Sequence, residues 1–542
     1  GIAIGDYNGD GFDDAFLGGA AGQAGTLLER GLTAWPGQAD APWAADAACE
    51  DMGVLWFDYD GDGDLDLFVV SGGVEYPAGD ERLRDRLYRN DGKSFTRTTD
   101  VLPDLRFSGS CCSAVDFDLD GDLDLFVGGR TVPGAYPDAP ASRLLQNDNG
   151  RFRDVTATAA PALLQAGMVS GATFSDANGD GWPDLMVAAR WQPLRWLRND
   201  QGRFADATEA AGLAGHPGWW NSVVSLDVDG DGDADFVAGN QGLNSKYKAS
   251  PDKPLTLFFA DFDGNGTRDL VESKYEGTRL LPVRGRSCSS GAMPFLERKF
   301  PTYEKFASAA LAEIYPEPQL AAAGQLSASC LDSVLLRNDG KGGFAVETLP
   351  RAAQIAPLFG LALADYDGDG HLDVAAATNF FSPEPETGRF DGAIGLLLRG
   401  NGTELLAVPP RQSGLTLSGD QKGAAVAHFD PTGSTDLILA RNDQPLAGFA
   451  STDPTPSLTL RLEGPAGNPT GVGAVVVVAD ATGRQRRVEQ VAGSGYLSQS
   501  SALMRFSRTA SPLTSVTVHW PDRTTTRLTE GLDRALLVAR WQ

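Results

Sequence analysis

DYDGDGDLDLFVV, residues 58–70, is the stretch whose reading decides the fold. Its first nine residues put Asp at positions 1, 3, 5, 7 and 9, with Gly63 at position 6. Its tail is a short apolar strand. Ca²⁺ takes about six to eight oxygen ligands at about 2.3–2.6 Å. A tight loop offers side-chain oxygens from positions 1, 3, 5 and 9 and a backbone carbonyl from position 7. Gly at position 6 permits the sharp turn that wraps the ion.

Working outward, the string recurs. DYNGDGFDD starts at Asp6, DFDLDGDLD at Asp116, DANGDGWPD at Asp176, DVDGDGDAD at Asp227, DFDGNGTRD at Asp261 and DYDGDGHLD at Asp365. The predicted ligands are Asp6, Asn8, Asp10, Phe12 and Asp14; Asp58, Asp60, Asp62, Asp64 and Asp66; Asp116, Asp118, Asp120, Asp122 and Asp124; and Asp176, Asn178, Asp180, Trp182 and Asp184. The set continues with Asp227, Asp229, Asp231, Asp233 and Asp235; Asp261, Asp263, Asn265, Thr267 and Asp269; and Asp365, Asp367, Asp369, His371 and Asp373. Position 7 varies freely, as expected if only its carbonyl is used. An eighth copy, DPTGSTD from Asp430, is shortened and lacks the middle acid. One such string alone reads as an acidic turn. Seven in one register read as about seven Ca²⁺ sites, which would offset about half of the formal charge of −27. Without ions the clustered carboxylates should repel one another.

The opening half resembles an EF-hand loop, but no Glu follows three residues after position 9, and the flanks are strands. VLWF, SAVDF, VVSL and LALA lead into loops, and FLGG, DLFVV and DVAAAT leave them. Each loop therefore caps a β-hairpin. A second hairpin follows several copies, as LYRNDGKSF at Leu87, LLQNDNGRF at Leu144, WLRNDQGRF at Trp196 and LLRNDGKGGF at Leu335. Four-stranded units repeated about an axis make a β-propeller. The fold class is all-β: a seven-bladed β-propeller with a helical insertion and a small C-terminal β-sandwich or barrel.

Inner hairpins at Asp6, Asp58, Asp116, Asp176, Asp227, Asp365 and the degenerate Asp430 give the seven blades, with eight as the competing count. The Asp261 copy follows Asp227 by 34 residues, too close for a full blade. It is assigned to an elaborated outer part of blade five, which the Leu335 hairpin completes. An insertion is expected over about 273–332. In it, FPTYEKFASAALAEIY places Phe306, Ala310 and Ile314 at helical spacing, which predicts one amphipathic helix lying on the propeller as a cover or a lid. From about residue 454 the pattern becomes calcium-free alternating strands (SLTLRLEG, GAVVVVAD, SVTVHW). The domains are thus 1–453 and 454–542.

These loops and their strands resemble FG-GAP/VCBS repeats, as in the integrin α-chain propeller, over about residues 1–450. GNPTGVGAVVVV, RRVEQVAGSGYLSQS and VTVHWPDR look like the ASPIC/UnbV domain. Together the halves resemble the cartilage acidic protein family and its bacterial relatives. MVSGATFSDANGDG, GWWNSV, GNQGLNS and KFPTYEKFASAAL look like the bacterial members. The Phe-Ser-Arg at Phe506 departs from the Phe-Gly-Leu-Gly usual in the family.

Such an acidic chain will not bind nucleic acid or anionic membranes through bulk charge. No run of about 18–20 apolar residues predicts a membrane span. The chain opens on Gly1 without a leader pattern; a signal peptide already removed and a trimmed chain both account for that. Of five cysteines, Cys288 and Cys330 flank the insertion and are candidates for a disulfide closing it. Adjacent Cys111 and Cys112 are candidates for a vicinal disulfide, or one of them for a bond to Cys49; the alternative is buried thiols.

No GxSxG, HExxH, Walker loop or dinucleotide fingerprint occurs among 542 residues with four His. Six residues after the last loop Asp, three copies carry Arg130, Arg190 and Asn379; Asn442 holds that place in the degenerate copy, and Asn240, with Gln241, nearly so in copy five. Joined by Trp219 and Trp220, they would ring one mouth of the central channel and suit an anionic or sugar-like ligand. The alternative is that they tie neighbouring blades together. The leading functional expectation is a secreted or periplasmic, calcium-stabilised binding protein with a protein, glycan or small anionic partner. An enzyme of lyase or biosynthetic type, with its site in the channel or under the insertion, and a structural scaffold are the alternatives.

Overall fold

The computed structural model describes residues 1–542 apart from 31–32, 36–37, 93, 431–433, 453–454 and 509–510. The middle of the degenerate eighth copy and the expected domain boundary therefore lie outside the described residues. The chain is mostly β, in many small antiparallel sheets. Seven of them share one plan: sheet I (residues 2–34), II (50–97), III (109–154), IV (168–206), V (222–239 with 334–348), VI (358–408) and VII (421–450). In each, an inner strand pairs antiparallel with a second strand across an acidic loop, and later strands add outward. The inner strands Ile2–Gly5, Glu50–Phe57, Gly109–Val115, Met168–Ser175, Ser222–Leu226, Leu358–Ala364 and Gln421–Ala427 lie against one another in chain order, and the last returns to the first.

The inner strands are packed on both faces, so small residues dominate them: GSCCSAV, LFGLALA and QKGAAVA. A Cβ on Gly171 would stand 2.6 Å from the Gly495 carbonyl oxygen, so only Gly fits there. Larger side chains fill the wedges between sheets. Leu55, Phe68 and Leu87 of sheet II meet Leu125 and Leu145 of sheet III, and Trp196 of sheet IV meets Phe236 and Leu336 of sheet V. Each such burial contributes about 1.5–3 kcal/mol.

Sheet V is interrupted after Gly239 and resumes at Val334, so the excursion starts well before residue 273. It builds its own four-stranded sheet, Leu255–Ala260, Asp269–Glu276, Arg279–Pro282 and Gly324–Ala328, with the Asp261 loop at its hairpin. The single helix expected there is instead two short ones, Tyr303–Ser308 and Leu311–Ile314, among five in the excursion. Ala309 and Ala310 between them are extended, and the Ala310 N–H donates to the Glu313 carboxylate. The break turns Phe306, Leu311 and Ile314 onto one core with Phe258 and Phe262 of the excursion's own sheet. The opposite face of that sheet, with Leu255 and Leu257, packs on Trp191 and Trp219 at the ring. Helices thus cover the excursion, and the excursion covers the ring.

All five cysteines are free thiols, which corrects the disulfide expectation. Neighbours in a strand point to opposite faces. Cys111 accordingly packs with Val169 and Phe174 toward sheet IV, and Cys112 with Phe68 and Leu55 toward sheet II. The C-terminal residues form two packed sheets around Leu460, Val476, Val478, Val516 and Trp520. Of the two expected forms, the sandwich is the one present.

Candidate metal centres

Each acidic loop is held by its own backbone. In all seven, the position-6 Gly N–H donates to the position-1 carboxylate, at 2.8–3.2 Å. In all seven, the position-7 N–H donates to the position-5 side chain, at 2.7–3.0 Å. The position-6 glycines have φ from +84° to +104°, a region closed to other residues without strain. The loops therefore gather carboxylates: Asp58, Asp60 and Asp62 bring one oxygen each within 4.8 Å of one another, as do Asp116, Asp118 and Asp124, Asp227, Asp229 and Asp235, and Asp261, Asp263 and Asp269. Buried Oδ1 atoms of Asp60, Asp118, Asp229 and Asp365, and Oδ2 of Asp14 and Asp184, have no hydrogen-bond partner. A buried unpartnered oxygen within a gathered set of carboxylates, as at Asp60, Asp118 and Asp229, suits a cation. Asn8 and Asn178 turn their oxygens to the position-5 N–H instead. Phe12 and Trp182 at position 7 place their rings under Arg30 and Arg523.

Burial sets the electrostatics. It pushes the carboxyls of Asp116 and Asp365 up to about 7, and those of Asp14, Asp66, Asp184 and Asp373 up to about 8. In the excursion's loop, Asp261 moves the other way, lowered mainly by the Gly266 N–H, because solvent reaches it.

The position-9 carboxylates also act as struts. Asp66 accepts from the N–H of Asn90, Asp124 from Asn147, Asp184 from Asn199 and Asp235 from Asn338, at 2.7–2.8 Å. These are the Asn of the Asn-Asp turns, which the sequence marks only as turn residues. The Asn147 amide donates to the carbonyls of Leu123 in its own loop and Tyr59 in the preceding sheet's loop. Asn90 reaches Tyr7, Asn199 reaches Phe117 and Asn338 reaches Ala177 in the same way. Four buried amides thus bridge consecutive sheets at the loops.

The C-terminal sandwich sits on this loop face. Arg484 donates to the Gly370 carbonyl at 2.7 Å and Arg461 to Gly11 at 3.3 Å. Ser507, the residue that departs from the family's usual turn, donates to the Gly368 carbonyl at 2.5 Å. Residues 489–501 then enter the ring and touch every inner strand or its loop end. Ile2–Ala3 pair with Ser498–Gln499, Trp56 exchanges two hydrogen bonds with the Gln499 amide, and Ala114 N–H donates to Ala492. Asp176 N–H donates to Glu489, Gly495 N–H to Val223, and Ala424 N–H to Ser498, while the Tyr496 ring packs 5.0 Å from Phe359. This plug runs among the inner strands, where the sequence analysis placed the central channel.

At the far mouth, Arg130 and Arg190 come together. Their charges act on each other, and burial followed by the Arg130 charge lowers Arg190 to about 10. Lys422, which the sequence reading missed, joins them from the inner strand of sheet VII, 3.7 Å above the Phe359 ring. The three asparagines are spent on structure. Asn240 bonds Cys330 and Asp332 carbonyls, Asn379 those of Ala393 and Gly419, and Asn442 the Asp420 carboxylate. Trp220 is buried in the wedge between sheets IV and V, and Trp219 packs 4.8 Å from Tyr247 under the excursion.

Fold and loops together define a repeat protein built from acid-looped sheets with a β-sandwich that closes the ring. The FG-GAP-like repeat family matches residues 58–127 and 176–238, and the ASPIC and UnbV family matches 464–534. The chain carries FG-GAP-like repeats and a C-terminal ASPIC/UnbV domain. No curated protein matches it in sequence. Among solved structures it is similar to the Vibrio cholerae biofilm matrix protein Bap1, at 10% identity and TM-score 0.34 over 84% of this chain and 87% of that one. It is also similar to a Bacillus licheniformis rhamnogalacturonan lyase, at 13% and 0.25 over 74% and 71%, and to PorZ of the Porphyromonas gingivalis type-IX secretion system, at 14% and 0.28 over 99% and 65%. Likeness at these TM-scores carries no argument about what this chain does.

Proposed function

We propose that this chain is a calcium-loaded, seven-bladed β-propeller that binds a protein or glycan partner outside the cytosol, with Ca²⁺ as a structural ion. The observation that carries the reading is that carboxylates of the Asp58, Asp116 and Asp227 loops gather within 4.8 Å of one another, and that Asp60, Asp118 and Asp229 among them each keep a buried, unpartnered oxygen. The cyclic contact of seven inner strands supports seven blades over eight, with the Asp261 loop as a further site on the excursion. The propeller runs to about residue 453, and the ASPIC/UnbV-like domain begins at about 454. Bound there, Ca²⁺ supplies the charge that lets each buried carboxylate set stay ionised; the loop backbone aims the oxygens. Secreted and periplasmic compartments suit this chemistry, since extracellular calcium fills sites even at about 10⁻⁴–10⁻³ M affinity.

A ligand that binds only the folded form stabilises it by about 2.7 kcal/mol per site at 100 times Kd. Thermal melts in millimolar Ca²⁺ and in excess chelator test this. The melting temperature should fall by about 10 °C or more in chelator. Superimposable melts would refute structural calcium.

A further inference from the structure

We propose that the channel mouth opposite the acidic loops binds a small oxyanion, a carboxylate or a phosphate, between the Arg130 and Arg190 guanidinium groups, with Lys422 and Tyr496 nearby. The proposal deepens the reading of the chain as a binding protein and does not depend on calcium.

Four observations carry it. First, Arg130 Nη1 and Arg190 Nε are buried and unpartnered, and neither guanidinium has a carboxylate partner among the described residues. Among the described residues, the one side-chain hydrogen bond of either guanidinium is a long one, 3.4 Å from Arg190 to the Asn221 Oδ1, and the Asn221 Nδ2 is also buried and unpartnered. Guanidinium groups so placed lack the partner that their burial demands, and a planar oxyanion matches them in a bidentate way. Second, groups from separate parts of the chain meet here: Lys422 of sheet VII and Tyr496 of the plug pack on the same Phe359 ring, at 3.7 and 5.0 Å, and the charges of Arg130 and Arg190, from sheets III and IV, act on Lys422. Third, the local charge is positive in a chain of net −27. Asp420 is the one acid on these groups, and it pairs with Lys422 at 2.5 Å; Glu272, farther out, is held by Arg284 at 2.9 Å. Fourth, Phe359 and Phe380 stack under Lys422 at 3.7 and 4.9 Å and give the pocket an apolar wall. Both arginines remain partly exposed as residues. The plug makes the ASPIC/UnbV domain part of the pocket.

The test is calorimetric titration of the full calcium-bearing chain with inorganic phosphate and, separately, galacturonate. One equivalent of at least one probe should bind, and the tighter probe tells phosphate from carboxylate. Arg130→Gln and Arg190→Gln should each weaken it about tenfold or more, with the melt in calcium little changed. Tyr496→Phe keeps the packing and should weaken it less. Absence of binding of both probes at about 10 mM, a bound-state strength far below that of a built site, would overturn the proposal. So would binding that survives both arginine substitutions. Should Arg190→Gln fail to fold, Arg130→Gln decides alone. A lost anion site with an intact chelator response, or the reverse, separates this pocket from the calcium reading.

Discussion

The two ends of the channel are built from one repeat and carry opposite charge. At the loop end, every full copy repeats the same nine-residue turn with the same Gly and the same final Asp. At the far mouth, the equivalent positions hold Arg130 and Arg190 in two copies, and structural asparagines in others. The difference teaches where a repeat protein can vary. Every full loop repeats one set of oxygen-bearing side chains, the set that a single kind of ion would demand. Nothing common constrains the opposite turns, so a site specific to this chain can form there. The loop end is also the end that the C-terminal sandwich covers, through Arg461 and Arg484 on loop carbonyls, whereas the mouth receives only the tip of its plug.

Breaking the loop end should have the largest effect. Asn147→Ala removes the donor to two carbonyls and leaves them buried, and should cost about 2–4 kcal/mol by denaturant unfolding. A loss below about 0.5 kcal/mol would mean that the bridge between sheets II and III is idle. Next comes the contrast between loops. Asp60→Asn in the ring should lower the melting temperature in calcium by a few degrees, through a site weakened about ten- to a hundredfold. Asp263→Asn, in the exposed loop of the excursion, should leave the main transition in place. Equal shifts would erase the distinction between ring and excursion.

The smallest effect sharpens the mouth. Burial, partly opposed by Asp420, brings Lys422 down to about 8, with the Arg190 and Arg130 charges adding to the fall. Its folded value is lowered, so between about 8 and 10.5 the unfolded chain holds a proton that the folded one lacks. The cost of burying the charge is therefore relieved as pH rises through that window. Affinity for galacturonate, whose charge is constant over this range, should run the other way and weaken a few-fold from pH 7 to 9, because Lys422 loses its charge. Flat affinity over that range would remove Lys422 from the pocket. The charges acting on Lys422 are those of Asp420, Arg190 and Arg130, and its Nζ also donates to the Asn379 carbonyl at 3.1 Å.

What could be read from the sequence follows the same divide. The loops and their hairpins were legible because one pattern of Asp or Asn, Gly and a final Asp is written out seven times in register. Arg130 and Arg190 were legible because they share an offset from position 9. Lys422 was not, since it sits on the inner strand, outside that offset, although a Lys within QKGAAVA is a signal in hindsight of its own. Tyr496 and the plug could not be found by repeat reasoning, because they come from the other domain and meet the ring only through tertiary contacts. The two short helices around Ala309–Ala310 differ from the one expected because a shared 3.6-residue spacing does not reveal a break that lets both halves face one core.

The most direct measurement is anomalous diffraction from crystals grown in millimolar Ca²⁺. The account predicts a peak inside each loop beginning at Asp6, Asp58, Asp116, Asp176, Asp227, Asp261 and Asp365, with the side-chain oxygens at positions 1, 3, 5 and 9 turned onto it. Loops that stay empty at that concentration, with their oxygens pointing to solvent, would contradict it.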